Sequence, residues 1–464
     1  MAIDLAAIDA LRSSLPNSAV LTPASDGYAE SIVRWSDAAQ KNAALVVLPN
    51  SSEDVSKAIL FSQAQKLDLA VSGGKHSTSG SSSTEGGLLI DLSKMREVVV
   101  DAEKSTVDVQ GGALWNDVDV AAGKYDLATV GGTVNHTGVG GLTLGGGYGW
   151  LTGWYGLTID VLLEVEFVLA DGSIVVCNET QNPDLFWAAK GAGACFGVAT
   201  RFRFKAFEQR STVWGGLLAF PPDKLQDVVN FANHCVEVSN GEAQMIMAYA
   251  APPPAGQPCV VAAVYYNGVT SKAKEFFAPL LDMGPLMNDT REMPYSAVNG
   301  MLNPMSSYGD RKTQKGAVLT TPVELSFAQS IFNNFSTFVK ETPDAVDSVI
   351  LFEFMSFRES IKIPMTAQAF ANRGEYFNVL VNARWKDVAN DTKCREWARN
   401  LSKDIVSKMD KASESTGGVK EYGNYDGIGT ATGQQLFGVN YDKVVSLKKR
   451  YDPQNIFNKS VSLL

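Results

Sequence analysis

Histidine is scarce in this chain: three in 464 residues, His76, His136 and His234. A multi-histidine metal centre is therefore nearly excluded, and no metal site is expected. Long hydrophobic runs are missing too. No stretch approaches the roughly 18 consecutive apolar residues of a membrane-spanning helix, so no membrane partner is expected. Excess positive charge is absent: the formal net charge is −10, which argues against a nucleic-acid partner. The one basic cluster near an end, Lys448-Lys449-Arg450, reads as a solvated helix face. Cysteines are few and scattered (Cys177, Cys195, Cys235, Cys259, Cys394), odd in number and never in a C-x-x-C pair. That pattern suits reduced thiols rather than disulfides or zinc. With no basic segment leading into an apolar run after Met1, the expectation is an intracellular, cytoplasmic protein.

A further absence is local. No Lys or Arg occurs between Lys124 and Lys190, while seven acids do. Inside that stretch, Gly131 to Gly156 holds eleven glycines interleaved with Val, Leu, Trp and Tyr. A flexible linker would be Gly/Ser-rich; these aromatic and aliphatic neighbours require packing. The glycines then mark places where another body approaches the backbone too closely for a Cβ. Any anion bound there must be neutralised by backbone N–H groups. A second loop of this kind, Val71-Ser-Gly-Gly-Lys-His76-Ser-Thr-Ser-Gly80, hangs between two short apolar segments that read as buried strands.

A chain of 464 residues is too long for one compact core, and two domains are expected. Strands are read at Ala43–Leu48, Glu97–Val100, Thr106–Gln110, Val161–Leu169, Ile174–Cys177 and Thr200–Lys205. A helix capped by Ser52 runs to about Gln65, another spans Trp115 to about Ala122, and a short one begins at Asp184. From about residue 207 glycine thins out. Amphipathic helices at Asp223–Val238, Ser271–Asp282, Ala328–Glu341 and Thr392–Lys411 alternate with strands near Gly215–Phe220, Met245–Tyr249, Val260–Tyr266, Ser348–Phe354 and Phe377–Trp385. Residue-by-residue alternation in those strands predicts a mostly antiparallel sheet with helices on one face. Pro252–Gly256 reads as a hairpin tip. From Glu421 the chain is again rich in glycine and aromatics, so it is expected to fold back onto the first half. The resulting division is a first domain formed by residues 1–206 and 418–464, interrupted by a second at 207–417.

Standard nucleotide motifs fail. Gly74-Lys75 is followed by His76 instead of Ser or Thr, so no P-loop is present, and Gly191-Ala-Gly193 lacks the third glycine of a dinucleotide fingerprint. His76 alone could be a turn histidine bonded to backbone. Together with the cation-free glycine segment and the C-terminal return, it reads as the edge of two backbone cradles for a large pyrophosphate-bearing cofactor.

Ser72-Gly-Gly-Lys-His76-Ser, Gly86-Gly-Leu-Leu-Ile-Asp91-Leu, His136-Thr-Gly-Val-Gly-Gly-Leu-Thr-Leu-Gly-Gly-Gly-Tyr-Gly149, Tyr155-Gly-Leu-Thr-Ile-Asp160, Asp184-Leu-Phe-Trp187 and Arg450-Tyr-Asp-Pro-Gln-Asn-Ile-Phe457 occur in order along the chain. This set resembles the vanillyl-alcohol oxidase/p-cresol methylhydroxylase superfamily, and within it the berberine-bridge-enzyme-like oxidases of the 6-hydroxy-D-nicotine oxidase and glucooligosaccharide oxidase type. The resemblance implies an α+β, two-domain FAD-binding (PCMH-type) fold: a discontinuous FAD domain plus a substrate domain. It implies FAD attached through His76. Gly73, Gly74, Lys75, Ser77 and Thr78 would contribute to one pyrophosphate cradle; Gly132, Thr133, Gly138, Gly140, Gly141 and Thr143 would form the other. Gly197 and Val198 would lie by the adenine. Relatives with two covalent links carry a cysteine where Val134 stands here, so a single link is expected. Leu142 stands where such relatives place a histidine.

The implied reaction is hydride transfer from a small organic substrate (an alcohol, sugar, amine or secondary metabolite) to flavin, with O2 reduced to H2O2. The family pattern points to Tyr422 or Tyr425 as base; Glu353, from its place on a substrate-domain strand, is a further and weaker candidate, and Arg373, near the Phe377 strand, is a candidate to orient substrate. An unperturbed tyrosine has a pKa of about 10, so a tyrosine base needs a depressed pKa. Two other readings stand beside the oxidase: a dehydrogenase using another acceptor, and a flavin-binding cyclase with a vestigial redox role. Substrate identity and oligomeric state stay open at this point.

Overall fold

The computed structural model describes residues 3–408, 421–427 and 429–464. The expected domain boundary at 417/418 and the end of the helix expected to reach Lys411 lie outside those residues.

The N-terminal half builds two sheets. One has the order Ala19–Leu21, Leu45–Leu48, Leu88–Asp91, Leu69–Ser72, and the last three strands are parallel. Parallel strands need cover on both faces, and Leu45–Leu48 and Leu88–Asp91 are wholly buried. The helix Ser52–Ala64 supplies part of that cover through Val55, Ala58 and Ile59. Its cap is Ser51, not the expected Ser52: Ser51 is extended and accepts from the Asp54 N–H, while the Ser52 hydroxyl donates instead to Glu166. The second sheet is antiparallel, in the order Val98–Asp101, Thr106–Gln110, Gly197–Lys205, Leu162–Leu169, Ile174–Asn178.

The central region forms an antiparallel sheet whose main path runs Met287–Asn288, Thr212–Phe220, Cys259–Tyr266, Ala243–Ala250, Val349–Phe354, Phe377–Trp385, Arg311–Leu319. Pro252–Gly256 lies at the hairpin between two of them, as expected. The helices Leu225–Val238, Leu325–Glu341 and Asp391–Ser407 cover one face. Alternation sorts the side chains: Met245, Met247, Ile350 and Phe352 join the helix-side core. Ile246, Ala263, Tyr265 and Leu351 point the other way and pack with the core of the N-terminal half. Because both faces are covered, these strands are buried throughout rather than half-solvated.

One strand gives no clear sequence signal, and one expectation needs correction. Arg311–Leu319 is a strand whose Lys312 and Lys315 are buried because carbonyls and carboxylates satisfy them. The expected helix Ser271–Asp282 is two pieces, Thr270–Phe276 and Ala278–Leu281, with Pro279 starting the second.

The C-terminal return docks by its helix Tyr441–Tyr451. Lys448, expected in solvent, is buried: its ammonium donates to the Cys195 and Phe457 carbonyls at 2.7 and 2.8 Å and to Asp452 at 2.7 Å. Lys449 and Arg450 are exposed as expected. All five cysteines are buried and unpaired.

Candidate active site

The two glycine-bearing loops meet at one contact. A Cβ on Gly74 would stand 2.1 Å from the Gly138 nitrogen, and one on Gly138 would stand 2.4 Å from the Gly74 nitrogen. Only glycine at both positions lets the backbones touch. The C-terminal return closes on the same segment: a Cβ on Gly145 would sit 2.1 Å from Asn424 Oδ1, and the Gly147 N–H donates to Tyr422 Oη at 2.9 Å. Buried Arg34 shapes the first loop by donating to the Ser82 carbonyl and the Ser83 hydroxyl.

Between these elements and the large sheet lies a cavity of about 400 Å³. Gly73, Gly74, Lys75, His76, Ser77, Thr78, Gly132, Thr133, Gly138, Gly140, Gly141, Gly197 and Val198 all line it. Thr143 does not: it is fully buried in the short helix Val139–Leu144 behind the wall. The Lys75 ammonium is not offered to the cavity. It pairs with Asp91 at 3.0 Å and donates to the Ser31 carbonyl, so only the backbone of Lys75 is left to serve as cradle. Thr78 Oγ1 is held between the Gly427 carbonyl and the Gln314 N–H. Lys459, the other cation in the lining, pairs with Asp68. The wall is thus glycine backbone and hydroxyls, with the Ser82 hydroxyl buried and, among the described residues, unpartnered, and open space beside the Cα of Gly141. Such a donor set fits an anionic cofactor held by neutral groups. No cysteine lines the cavity among the described residues; Val134 does.

His76 Nε2 and His136 Nδ1 are 2.7 Å apart. Trp35 stacks on His76 at 5.0 Å, and Tyr308 meets the His76 ring edgewise and the His136 ring at a tilt. Burial, with added repulsion from His136 and the Lys312 charge, pushes the His76 pKa down to about 3, so the ring is neutral at any working pH.

At the sheet, Glu353 shares the cavity-facing side of Val349–Phe354 with Leu351. It is fully buried and accepts two phenol donors: Tyr425 Oη at 2.9 Å on Oε1, and Tyr148 Oη on Oε2. Burial raises its pKa to about 7, against the opposing pull of those hydrogen bonds. Burial likewise drives Tyr148 and Tyr425 well above the ordinary tyrosine value, and raises Tyr422. None of these three tyrosines is shifted downward, the direction a lone phenolate base requires. The group poised near neutrality is Glu353.

Arg373 is not free to orient substrate: its guanidinium is buried against Asp160 at 2.6 Å and also holds the Ser360 carbonyl. Leu302 and Met305 line the cavity, whereas Met301, Tyr295 and Phe352 belong to the cores. Sequence reasoning missed His136, Tyr148, Trp35, Tyr308 and Asn382. A clue to the first was available, since two of only three histidines fall in the two glycine loops.

A family model for an FAD binding domain matches residues 43–178, and one for berberine and berberine-like proteins matches 421–463. The FAD-linked oxidoreductase pgmH of Aspergillus terreus is 33% identical, over 97% of this chain and 94% of that protein. Among solved structures, 6-hydroxy-D-nicotine oxidase from Arthrobacter nicotinovorans superposes with a TM-score of 0.80 at 24% identity, covering 97% of this chain and 98% of that one. A glucooligosaccharide oxidase from Acremonium strictum does so at 0.81 and 21%, covering 98% and 99%. With a cavity walled by glycine backbone and a relative matched along nearly its whole length, the chain belongs to the berberine-bridge-enzyme-like family of FAD-linked oxidoreductases.

Proposed function

We propose that the protein is an FAD-dependent oxidase that tethers its flavin through His76 alone and removes a substrate proton through the Tyr425–Glu353 pair. The observation that carries this reading is one cavity lined both by a neutral histidine and by a buried, phenol-bonded carboxylate whose pKa is near 7. The glucooligosaccharide oxidase is described with a 6-S-cysteinyl, 8α-N1-histidyl FAD. Val134 in the wall here, with no cysteine in the lining, supports a histidyl link only.

FAD, when bound, supplies the acceptor for the substrate hydride. The remaining work falls to this chain's residues. Tyr425 takes the substrate O–H or N–H proton on Oη as its own proton moves to Glu353 Oε1, so the effective base is Glu353 and its pKa suits neutral pH. Tyr148 holds the other carboxylate oxygen and keeps the group aimed. Tyr422, bonded to the Gly147 N–H and Asn424, fixes the C-terminal return against the glycine segment. Leu302, Met305, Leu351 and Leu380 give the lining an apolar character, and the buried Asn382 Oδ1, unpartnered among the described residues, supports recognition of one hydrogen-bond donor. With both lining cations already paired, no free counter-charge awaits an anion, so the substrate is an uncharged or cationic molecule with an apolar body and an oxidisable alcohol or amine. On this reading residues 1–206 and 418–464 form the flavin domain and 207–417 the substrate domain.

A screen of uncharged and cationic alcohols and amines under air should give H2O2 with a subset of them, and the same compounds should bleach the flavin without O2. Bleaching without H2O2 under air would turn the reading to a dehydrogenase. No bleaching by any of them would remove the redox role.

A further inference from the structure

The cavity wall is neutral, but a charge stands directly behind it. Arg34, 1% exposed, donates from Nε to the Ser82 carbonyl at 3.0 Å and to the Ser83 hydroxyl at 2.9 Å, and from Nη2 to the same carbonyl at 2.6 Å. Its Nη1 donates to the Ser31 and Val33 carbonyls at 3.1 and 2.8 Å. Every one of these acceptors is neutral, and among the described residues no carboxylate pairs with the guanidinium. Burial lowers its pKa to about 10, which leaves it charged at neutral pH.

A second cation shares these surroundings. The Lys75 ammonium donates to the Ser31 carbonyl, the same oxygen that Arg34 Nη1 uses, and pairs with Asp91 at 3.0 Å. Asp91 is fully buried and, among the described residues, is the one carboxylate whose charge reaches Arg34. Two cations and one carboxylate leave a positive charge in excess beneath the first glycine loop. A buried charge without a partner is costly, and a like charge nearby adds to the cost. That excess faces the cavity across a single residue. Ser82 accepts from Arg34 and also lines the wall, where its own hydroxyl is buried and, among the described residues, unpartnered. Ser77, Ser79 and Ser81 continue the wall with hydroxyls bonded to one another rather than to a carboxylate.

We propose that Arg34 is a positioning residue for the cofactor: its charge, one residue behind the wall, is the fixed counter-charge of the FAD diphosphate, and its grip on Ser82 holds the first loop against that anion. The inference rests on FAD binding and is independent of the tether at His76 and of the base at Glu353. It supplies the cation that the glycine segment lacks, from a residue ahead of the 43–178 stretch matched to the FAD binding domain. A guanidinium suits the place because its rigid fork grips one carbonyl twice while the charge stays on. Behind a water-excluding wall that charge is screened less than it would be at the surface.

The test uses the full chain made under flavin starvation, in magnesium-free buffer. ADP and adenosine are the probes, because they differ in the diphosphate alone and neither can be tethered. Their binding is read by calorimetry and by the ligand-induced rise in melting temperature, and FAD binding by fluorescence quenching. The unmutated protein should bind ADP more tightly than adenosine. Arg34→Gln keeps N–H donors for the Ser82 carbonyl but removes the charge. It should cut the ratio of ADP to adenosine affinity roughly tenfold or more, the scale of a charge pair acting across one residue, and leave adenosine binding unchanged. Arg34→Lys keeps the charge and loses the fork, and should hold that ratio within about threefold of the unmutated value. An unchanged ratio in Arg34→Gln, or equal loss of both ligands in Arg34→Gln and Arg34→Lys, would make Arg34 a clamp of the loop alone and overturn the proposal. FAD bound with ADP no tighter than adenosine overturns it while leaving the cofactor reading intact. An unmutated chain that binds no FAD overturns that reading, and this inference with it.

Discussion

Glu353→Gln is the perturbation that separates a buried general base from a structural carboxyl. The wild-type carboxyl is fully buried, and its pKa is raised from 4.5 to about 7, mainly by desolvation. A shift of that size corresponds to roughly 3 kcal/mol between the two protonation states. The sign follows from the direction. A raised folded-state pKa favours the neutral acid, so its contribution is fully present below pH 4.5 and is lost as pH rises through about 7. Glutamine keeps the shape and never ionises. The variant should therefore match wild type in stability near pH 4.5 and exceed it by up to about 3 kcal/mol above pH 8, less whatever its altered hydrogen bonds to Tyr148 and Tyr425 cost. Activity should move the opposite way. Wild-type flavin reduction, read by anaerobic stopped flow, should rise with pH through an apparent pKa near 7, since the base must be ionised. Glu353→Gln should be slower by roughly 10²- to 10⁴-fold and should lose that inflection. A wild-type profile flat from pH 5 to 9, or a variant with the same inflection, would refute the assignment.

Other expectations follow from single contacts. Tyr425→Phe removes the phenol that donates to Glu353 and should slow flavin reduction roughly 100-fold, whereas Tyr422→Phe, which loses only the Gly147 and Asn424 bonds, should cost less than about tenfold. Gly74→Ala forces a methyl to 2.1 Å from the Gly138 nitrogen; the cost should reach about 3 kcal/mol or more, seen as a lowered melting temperature and lost FAD binding. Arg373→Met strands the buried Asp160 carboxylate and should destabilise by about 3–5 kcal/mol, with KM for an oxidised substrate unchanged well below the melting temperature. A large rise in KM there would restore Arg373 to substrate binding.

Local chemistry was the most legible part of the sequence. Glycine density without lysine or arginine pointed to a backbone-walled anion site, and the strands flanking His76 were marked by Val, Ile and Leu. The alternating strands beyond residue 207 announced a sheet with two unlike faces. What the pattern hid depends on partners far away in the chain. Arg311–Leu319 gives no strand signal with the charges of Lys312 and Lys315 in it, yet the Trp35 carbonyl satisfies one and Glu421 and Asp426 the other. Tyr148 and Glu353 lie 205 positions apart, and nothing in either neighbourhood announces the hydrogen bond. Arg373 resembled a substrate ligand only while its pairing with Asp160 was unseen. A tyrosine base was a family pattern; the burial that raises those tyrosines and leaves Glu353 near neutrality is a property of the assembled cavity.

The central claim is a flavin tethered to His76 in a cavity with Glu353 as its base. The most direct test is peptide mapping of the denatured, proteolysed protein by mass spectrometry. The account predicts one flavin-bearing peptide, containing His76, and a colourless acid precipitate from His76→Ala. Flavin wholly released from the unmutated protein, or a modified peptide elsewhere in the chain, would contradict it.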